Sequence, residues 1–398
     1  MKGSTIRLIV FLWPALSGVC AGAEEPGPAV PGMTGPLEIS AMFMNDWASF
    51  IDAGSISAAM TEGDPDAADP FIDGTEFRRA RLGFSGPLGP HLELKLEYDF
   101  GSGQAEPADV YLEVNDLPLV GTVRVGHQYE PLNRLSGSSR NLVFLEKPLP
   151  NAFSSGRNVG LRTLSTGWQK RMTLSAGAYR DTDETGANGE NKAYNLAARL
   201  TALPFYRTAG RGLGHLGVFY SRRTPHGSAV RFRQRPEAHL APYLVDTGAI
   251  TASAVDVFGL EAAAIAGPAS LQAEYIEVAL DETAAGRLRF SGYYITAAWV
   301  LTGEHRPYSR INGGFTRFEP RRPFDPSAGA WGAWMLLARY SHLDLNDEPV
   351  RGGLLADLSI GLNWYLSSQT RLMWNYIFAD AEDLGDLQIA QMRLQVEL

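Results

Sequence analysis

Residues 76–100, EFRRARLGFSGPLGPHLELKLEYDF, alternate with a period of two. Leu92, Leu94, Leu96, Tyr98 and Phe100 share one parity, while Glu93, Lys95, Glu97 and Asp99 share the other. In the preceding run Ala80, Leu82 and Phe84 oppose Arg79, Arg81 and Gly83. This spacing predicts two β-strands, each with an apolar and a charged face, joined at the Gly- and Pro-rich turn 87–90 into a hairpin. Runs of about nine or ten residues match a tilted strand crossing a bilayer, whereas strands of soluble sandwiches run to roughly 5 or 6.

The pattern recurs along the chain. Leu37, Ile39, Ala41 and Phe43 open it, residues 52–75 read as an acidic, polar loop, and ADVYLEVND, GTVRVGHQ, NVGLR, MTLSAGA and YNLAARLTAL follow. SGYYITAAWVL, AWMLLARYSHL, LSIGLNWYL and IAQMRLQVEL continue it, with no helical interlude. Phe77, Tyr98, Phe100, Trp299, Trp364, Tyr365, Trp374 and Tyr376 lie near strand ends, as in interfacial aromatic girdles. Short connections such as 87–90 alternate with long ones such as 180–193 and 222–255, which suits short periplasmic turns and long external loops.

Composition decides between lipid-facing and core-facing apolar sides. Met1–Arg7 carries two cations, LIVFLWPAL is a short apolar core, and Ala21-Gly22-Ala23 offers small residues for cleavage, so residues 1–23 read as an export signal. Cys20, the one cysteine, would leave with it, taking any disulfide or thiol chemistry from the mature chain. Residues 24–36, EEPGPAVPGMTGP, read as a flexible leader, and residues 37–398 as one domain. The chain is 45% hydrophobic and 20% charged, without a later apolar run of helical length. A membrane protein of this profile can only be a β-barrel, because lipid accepts helices and closed sheets alone. With roughly 20 to 25 residues per strand and its connections, the expected fold is an all-β transmembrane antiparallel barrel of about 16 strands around an aqueous channel. The net charge of -9 argues against nucleic acid as the partner.

FRRARLGFSG, KLEYDF, VRVGHQYEPLNRLSGSSRNLVFLEKPLPNAFSSGRNVG and RPEAHLAPYLVDTG resemble the phosphate-selective porins O and P of bacterial outer membranes. SLQAEY, FSGYYITAAWVLTGEHRPYSR, GAWMLLARYSHLDL, GLNWYL and RLMWNYIF extend the resemblance across residues 37–398. It implies an outer-membrane barrel, usually a homotrimer, whose third external loop folds inward as a constriction and whose lumen passes anions. Leu398 stands where such proteins generally end in Phe, and Arg134-Leu135 stands near where members with strong phosphate preference carry a lysine.

The parity sorts the charges. Arg79, Arg81, Lys95, Arg124, Arg162, Arg199, Arg339, Arg371 and Arg393 oppose the apolar residues, and a charge on the lipid face near the midplane would cost ~2–4 kcal/mol. They are expected to point into water, with Arg79 and Arg81 ~7 Å apart on one face. The candidate constriction segment 130–157 adds Arg134, Arg140, Lys147 and Arg157 against Glu130 and Glu146. Cationic rings favour anions, and arginine's planar fork suits phosphate oxygens. Expected partners are therefore phosphate, polyphosphate or chloride, with outer-membrane lipid and lipopolysaccharide around the barrel. Glu93, Glu97, Asp99, Asp109, Glu113, Glu261, Glu274 and Glu397 share the inward parity, which leaves a weakly selective general-diffusion porin as the alternative. A secreted β-sandwich, binding protein or hydrolase, is the other. His127, His215, His226, His239, His305 and His342 lack metal-ligand spacing, and no Gly-x-Ser-x-Gly or P-loop motif occurs, so neither a cofactor nor an enzyme is expected. The acidic run Asp181, Asp183, Glu184 and Glu190 reads as a solvated loop.

Overall fold

The computed structural model describes residues 34–398 except 63–67, 133, 136, 183–185, 188–192, 226–228 and 283–285. The signal reading of residues 1–23 and most of the leader lie outside the described residues, as do Asp183, Glu184, Glu190 and His226.

Sixteen long strands form the molecule: β1 (Glu38–Ile51), β2 (Gly74–Gly89), β3 (Leu92–Asp99), β4 (Glu106–Leu117), β5 (Gly121–Tyr129), β6 (Arg157–Gly167), β7 (Met172–Arg180) and β8 (Tyr194–Arg207). They continue with β9 (Gly212–Thr224), β10 (Ile250–Ala266), β11 (Ala269–Glu282), β12 (Gly286–Val300), β13 (Ala333–Asp347), β14 (Val350–Tyr365), β15 (Thr370–Ala381) and β16 (Gly385–Glu397). Each pairs antiparallel with the next, and β16 returns to β1 from Met42 opposite Glu397 to Ile51 opposite Gln388. The ring is closed, so its backbone groups pair around the wall and the predicted barrel is found. The two-residue strand Ala229–Val230 adds a short pairing to β10.

Side-chain orientation settles which face meets lipid. Leu82 is 41% exposed beside Arg81 at 5%, and Leu358 46% beside Asp357 at 0%. Apolar groups turned out and ions turned in are the reverse of a water-soluble sheet protein. Tyr365 is a correction, since it is buried inside against Phe318 rather than placed in an outer girdle. The loop 52–73 is another, because it carries a helix of about two turns, α1 (Gly54–Met60), whose Ile56 is fully buried.

Three connections enter the barrel. The loop after β5, residues 130–156, crosses the lumen, and its carbonyls at Leu142, Val143, Leu145 and Glu146 accept hydrogen bonds from Arg371, Asn363, Arg393 and Arg339. The loop after β9, residues 225–249, also turns inward, with Glu237 buried against β13 and β14. The third, residues 301–332, joins β12 to β13 at the end that otherwise carries the short turns. Its Phe315 N–H donates to Leu135 O at 2.9 Å, tying it to the loop after β5. Gly313 and Gly314 form its tip. Gly313 has φ +63°, and a Cβ on Gly314 would lie 2.7 Å from Arg134 O, so side chains there would prevent the approach.

These loops change what the far wall must be. On β10 to β16, toward the loop end, the inward positions Val255, Val257, Phe290, Leu343, Leu355, Ile377 and Ile389 are buried and apolar. They pack on Leu149 and Phe153 of one loop and on Phe232, Leu244 and Val245 of the other. A fully buried side chain of this size contributes ~1.5–3 kcal/mol, so this half of the lumen is a packed core. Cavities beside it are lined by Arg79 and Arg81 of β2, Arg124 of β5, Arg157 and Arg162 of β6 and Arg199 of β8.

Candidate functional site: the cationic lumen

Many inward arginines hold the loops in place. Arg393, buried at 1%, donates to both Asp46 oxygens at 2.6 Å, to Leu145 O at 2.5 Å and to Glu146 at 2.9 Å. Arg371 reaches Leu142 O at 2.8 Å, Arg140 O at 2.9 Å and Gln395 at 2.7 Å. Arg339 pairs with Glu237, which also accepts from Ser341 at 2.5 Å and Ser359 at 2.9 Å. A buried guanidinium with five donors satisfies several carbonyls and a carboxylate at once, and such pairs are costly to break from one side.

The predicted anion-binding residues fall into two groups, clamps and more open cations. Arg81 is clamped: it binds Asp99 at 2.8 Å, Glu97 at 3.5 Å and Ser139 at 3.3 Å, and is not a free partner for Arg79. Arg79 is more open, 3.5 Å from Asp99. Lys95 lies 3.4 Å from Asp109 and 3.7 Å from Glu97. Arg140 binds Glu97 at 2.6 Å, and Arg124 binds Glu113 at 2.7 Å while resting 3.7 Å over the Tyr111 ring. Arg157 binds Asp109 at 2.7 Å and Tyr129 Oη at 3.1 Å. Arg199 holds Glu261 at 2.6 Å and donates to Asn312 O and Gly313 O, fixing the tip of the turn-side segment. Glu97, Asp99, Asp109, Glu113 and Glu261 are thus paired with lumen cations, so acids and bases neutralise one another along this wall.

Arg134, Lys147 and Arg162 have no carboxylate partner among the described residues. Arg134 and Lys147 sit 4.6 and 5.2 Å from the centre of the Tyr129 ring, with Arg157 at 4.0 Å, so three cations share one aromatic face or edge. Burial lowers the Lys147 ammonium below its usual pKa, and the neighbouring Arg134 and Arg157 push in the same direction. Glu146, by contrast, would be raised by burial, but Arg78 and Arg393 overcome this and hold its carboxyl well below the usual range.

Two of the cavities beside the loop after β5 bear most on its cations. The outer one, about 290 Å³, is lined by Arg78, Arg79, Tyr129, Lys147 and Arg235 with the paired Glu146 and Glu237. The turn-side one, about 230 Å³, is lined by Arg124, Arg134, Arg162 and Arg199, by Ser138, Ser175 and Thr316, and by no carboxylate among the described residues. No cluster of His, Cys, Asp or Glu with metal-ligand geometry occurs among the described residues.

Strict alternation missed Arg78. It shares parity with Ala80 and Leu82, yet it points inward and binds Glu146 at 2.8 Å. The pairing of β1 with β2 slips between Met44 opposite Arg79 and Asn45 opposite Phe77, which leaves Arg78 as the extra residue of a bulge. A bulge re-aims one side chain without breaking the strand. The doubled Arg78-Arg79 is the one signal in the sequence. Glu237 lies in RPEAHL, a segment marked only by resemblance, and residues 301–332 lie at the end where short turns are expected.

A family profile described as phosphate-selective porin O and P matches residues 58–398. Porin O of Pseudomonas aeruginosa is 29% identical over 363 residues, covering 78% of this chain and 78% of that protein. Among solved structures, the outer membrane protein OmpT of Vibrio cholerae in a trimer form aligns with a TM-score of 0.57 at 10% identity, over 91% of this chain and 99% of that one. An anion-selective porin from Comamonas acidovorans aligns with a TM-score of 0.53 at 13% identity, over 91% and 98%. These structural matches concern the fold.

Proposed function

Because this chain belongs to the phosphate-selective porin O and P family, we propose that its channel favours small anions, phosphate or polyphosphate among them, over cations. The protein is an outer-membrane porin, a channel-forming barrel. The observation that carries the selectivity is the turn-side cavity, where four arginines and no described carboxylate line the wall. In a low-dielectric confine each uncompensated cation raises the local anion concentration. Arg134 and Arg162 are the open contacts of that cavity, and Lys147 with Arg79 serves the outer one. Arg81, Lys95, Arg124, Arg140, Arg157 and Arg199 support the path by fixing the loops and neutralising the lumen carboxylates. Assembly as a homotrimer is part of the proposal, as is a cleaved export signal at residues 1–23 ahead of a barrel domain at 37–398; lipopolysaccharide is proposed to contact the outer wall.

The second reading, a weakly selective general porin, is favoured by the pairing of so many lumen cations. Reversal potentials across a KCl gradient in planar bilayers separate the two. The expected sign is anion preference, with chloride current reduced by added phosphate. A cation-preferring potential, or a current indifferent to phosphate, would overturn the proposal.

A further inference from the structure

The turn-side rim between β6 and β9 differs from the rest of this acidic chain. The connection between β6 and β7 reads Trp168-Gln169-Lys170-Arg171, and the one between β8, which ends at Arg207, and β9 runs from Thr208 to Arg211; neither holds an acidic residue. At these ends three arginines lie against aromatic rings. Arg171 is 5.6 Å from the Trp168 ring centre, Arg207 is 4.9 Å from Phe205, and Arg310 of the turn-side segment is 4.6 Å from Tyr206. Trp168 is 54% and Phe205 41% exposed. Lys170, Arg207 and Arg211 are exposed too, and none of these five cations has a carboxylate partner among the described residues.

The turn that displays Trp168 is strained. Trp168, Gln169 and Lys170 all have positive φ, at 48°, 55° and 62°, a conformation that costs roughly 1–2 kcal/mol per non-Gly residue. Arg310 donates to the carbonyls of Gln169 and Lys170, closing the turn from below. A chain needing only a tight connection would use Gly or Asn here. The strained form instead puts an indole at the edge of the apolar band with a guanidinium against it.

We propose that this rim is a docking surface for the phosphate headgroups of anionic phospholipid in the periplasmic leaflet. Short turns of such barrels face the periplasm, so the rim meets that leaflet. Exposed aromatic rings settle at the level between acyl chains and headgroups. A guanidinium held against such a ring stands at phosphate height, and its planar fork matches phosphate oxygens in two-point contact. The excess of positive charge selects a headgroup with net negative charge, such as phosphatidylglycerol, over a zwitterionic one.

The test uses the full barrel reconstituted in vesicles, with spin-labelled phosphatidylglycerol and phosphatidylcholine reporting the lipid held at the protein surface. The wild type is expected to favour phosphatidylglycerol by about fivefold, the factor that one basic residue near an anionic surface supplies. R171Q/R207Q/R211Q should bring the ratio to near unity, whereas R171K/R207K/R211K should retain most of it and R231Q/R351Q, on the opposite side, should leave it unchanged. Equal retention of both lipids by the wild type, or an undiminished preference in the triple glutamine variant, would overturn the proposal. So would loss of the preference to inorganic phosphate at matched ionic strength, which would make the rim a site for free anion. Should the triple variant fail to fold, R211Q alone, exposed and outside the strained turn, is expected to lower the ratio measurably, and no change there would count against the rim.

Discussion

Replacing Arg393 with Gln tests whether the loop across the lumen is held by buried ion pairs. The guanidinium is 1% exposed and serves Asp46, Leu145 O and Glu146 together. Glutamine is too short to reach all three, so the Asp46 carboxylate, itself 4% exposed, is left without its cation. Glu146 keeps Arg78 at 2.8 Å and suffers less. Removing one partner of a buried pair costs about 3–5 kcal/mol, most of it from the abandoned charge. R393Q should therefore lower the unfolding free energy of the refolded barrel by that amount, read from urea titrations in micelles by tryptophan fluorescence and from heat-modifiable gel migration. Adding D46N removes the orphaned charge and should restore about 1–3 kcal/mol. Arg351→Gln, which breaks the exposed pair with Glu348, should change stability by less than about 1 kcal/mol. A cost for R393Q no larger than that of R351Q, or a double variant no more stable than the single, would refute the reasoning.

Further outcomes follow from the same geometry. Lys147→Gln and Arg134→Gln should each move the reversal potential toward that of an unselective pore while leaving the folded gel band intact, because neither holds a carboxylate. Anion preference should fall as the pH rises toward the ordinary lysine value of 10.5, since burial first and the adjacent Arg134 and Arg157 second lower the Lys147 pKa, and Lys147→Arg should abolish that decline. Glu146 behaves in the opposite sense. Its folded-state pKa lies well below the ordinary 4.5, so its contribution to stability is complete above 4.5 and is lost only as the pH falls through the lower folded value. Unfolding free energies measured from neutral to mildly acidic pH should therefore show the Arg78–Glu146 contact intact, and Glu146→Gln should lower stability across that range while removing this group's share of the loss at more acidic pH. Glu237→Gln should loosen the loop after β9 by weakening the contacts to Arg339, Ser341 and Ser359, seen as faster proteolysis within residues 225–249.

What the sequence determined is the wall. A period of two with arginines on one parity and leucines on the other specifies strands with two unlike faces, while chain length set their expected number and the export signal and composition turned the apolar face to lipid. Ions cannot be left in hydrocarbon, and a closed ring is the only sheet that pairs its backbone there. Alternation also placed Arg81, Arg199, Arg339, Arg371 and Arg393 inside. It could not say what they do there, because a side chain's role depends on which partner reaches it from elsewhere in the chain. The tertiary structure supplied those partners: Asp46 and Glu146 for Arg393, Glu237 for Arg339, the carbonyls of residues 312 and 313 for Arg199. It also decided that a bulge turns Arg78 inward, that half the lumen is apolar core, and that residues 301–332 enter from the turn side. These depend on strand register and on contacts between residues far apart in sequence, to which a local period of two is blind. Only after that pairing is counted do Arg134, Lys147 and Arg162 stand out among the predicted residues as having no carboxylate partner among the described residues.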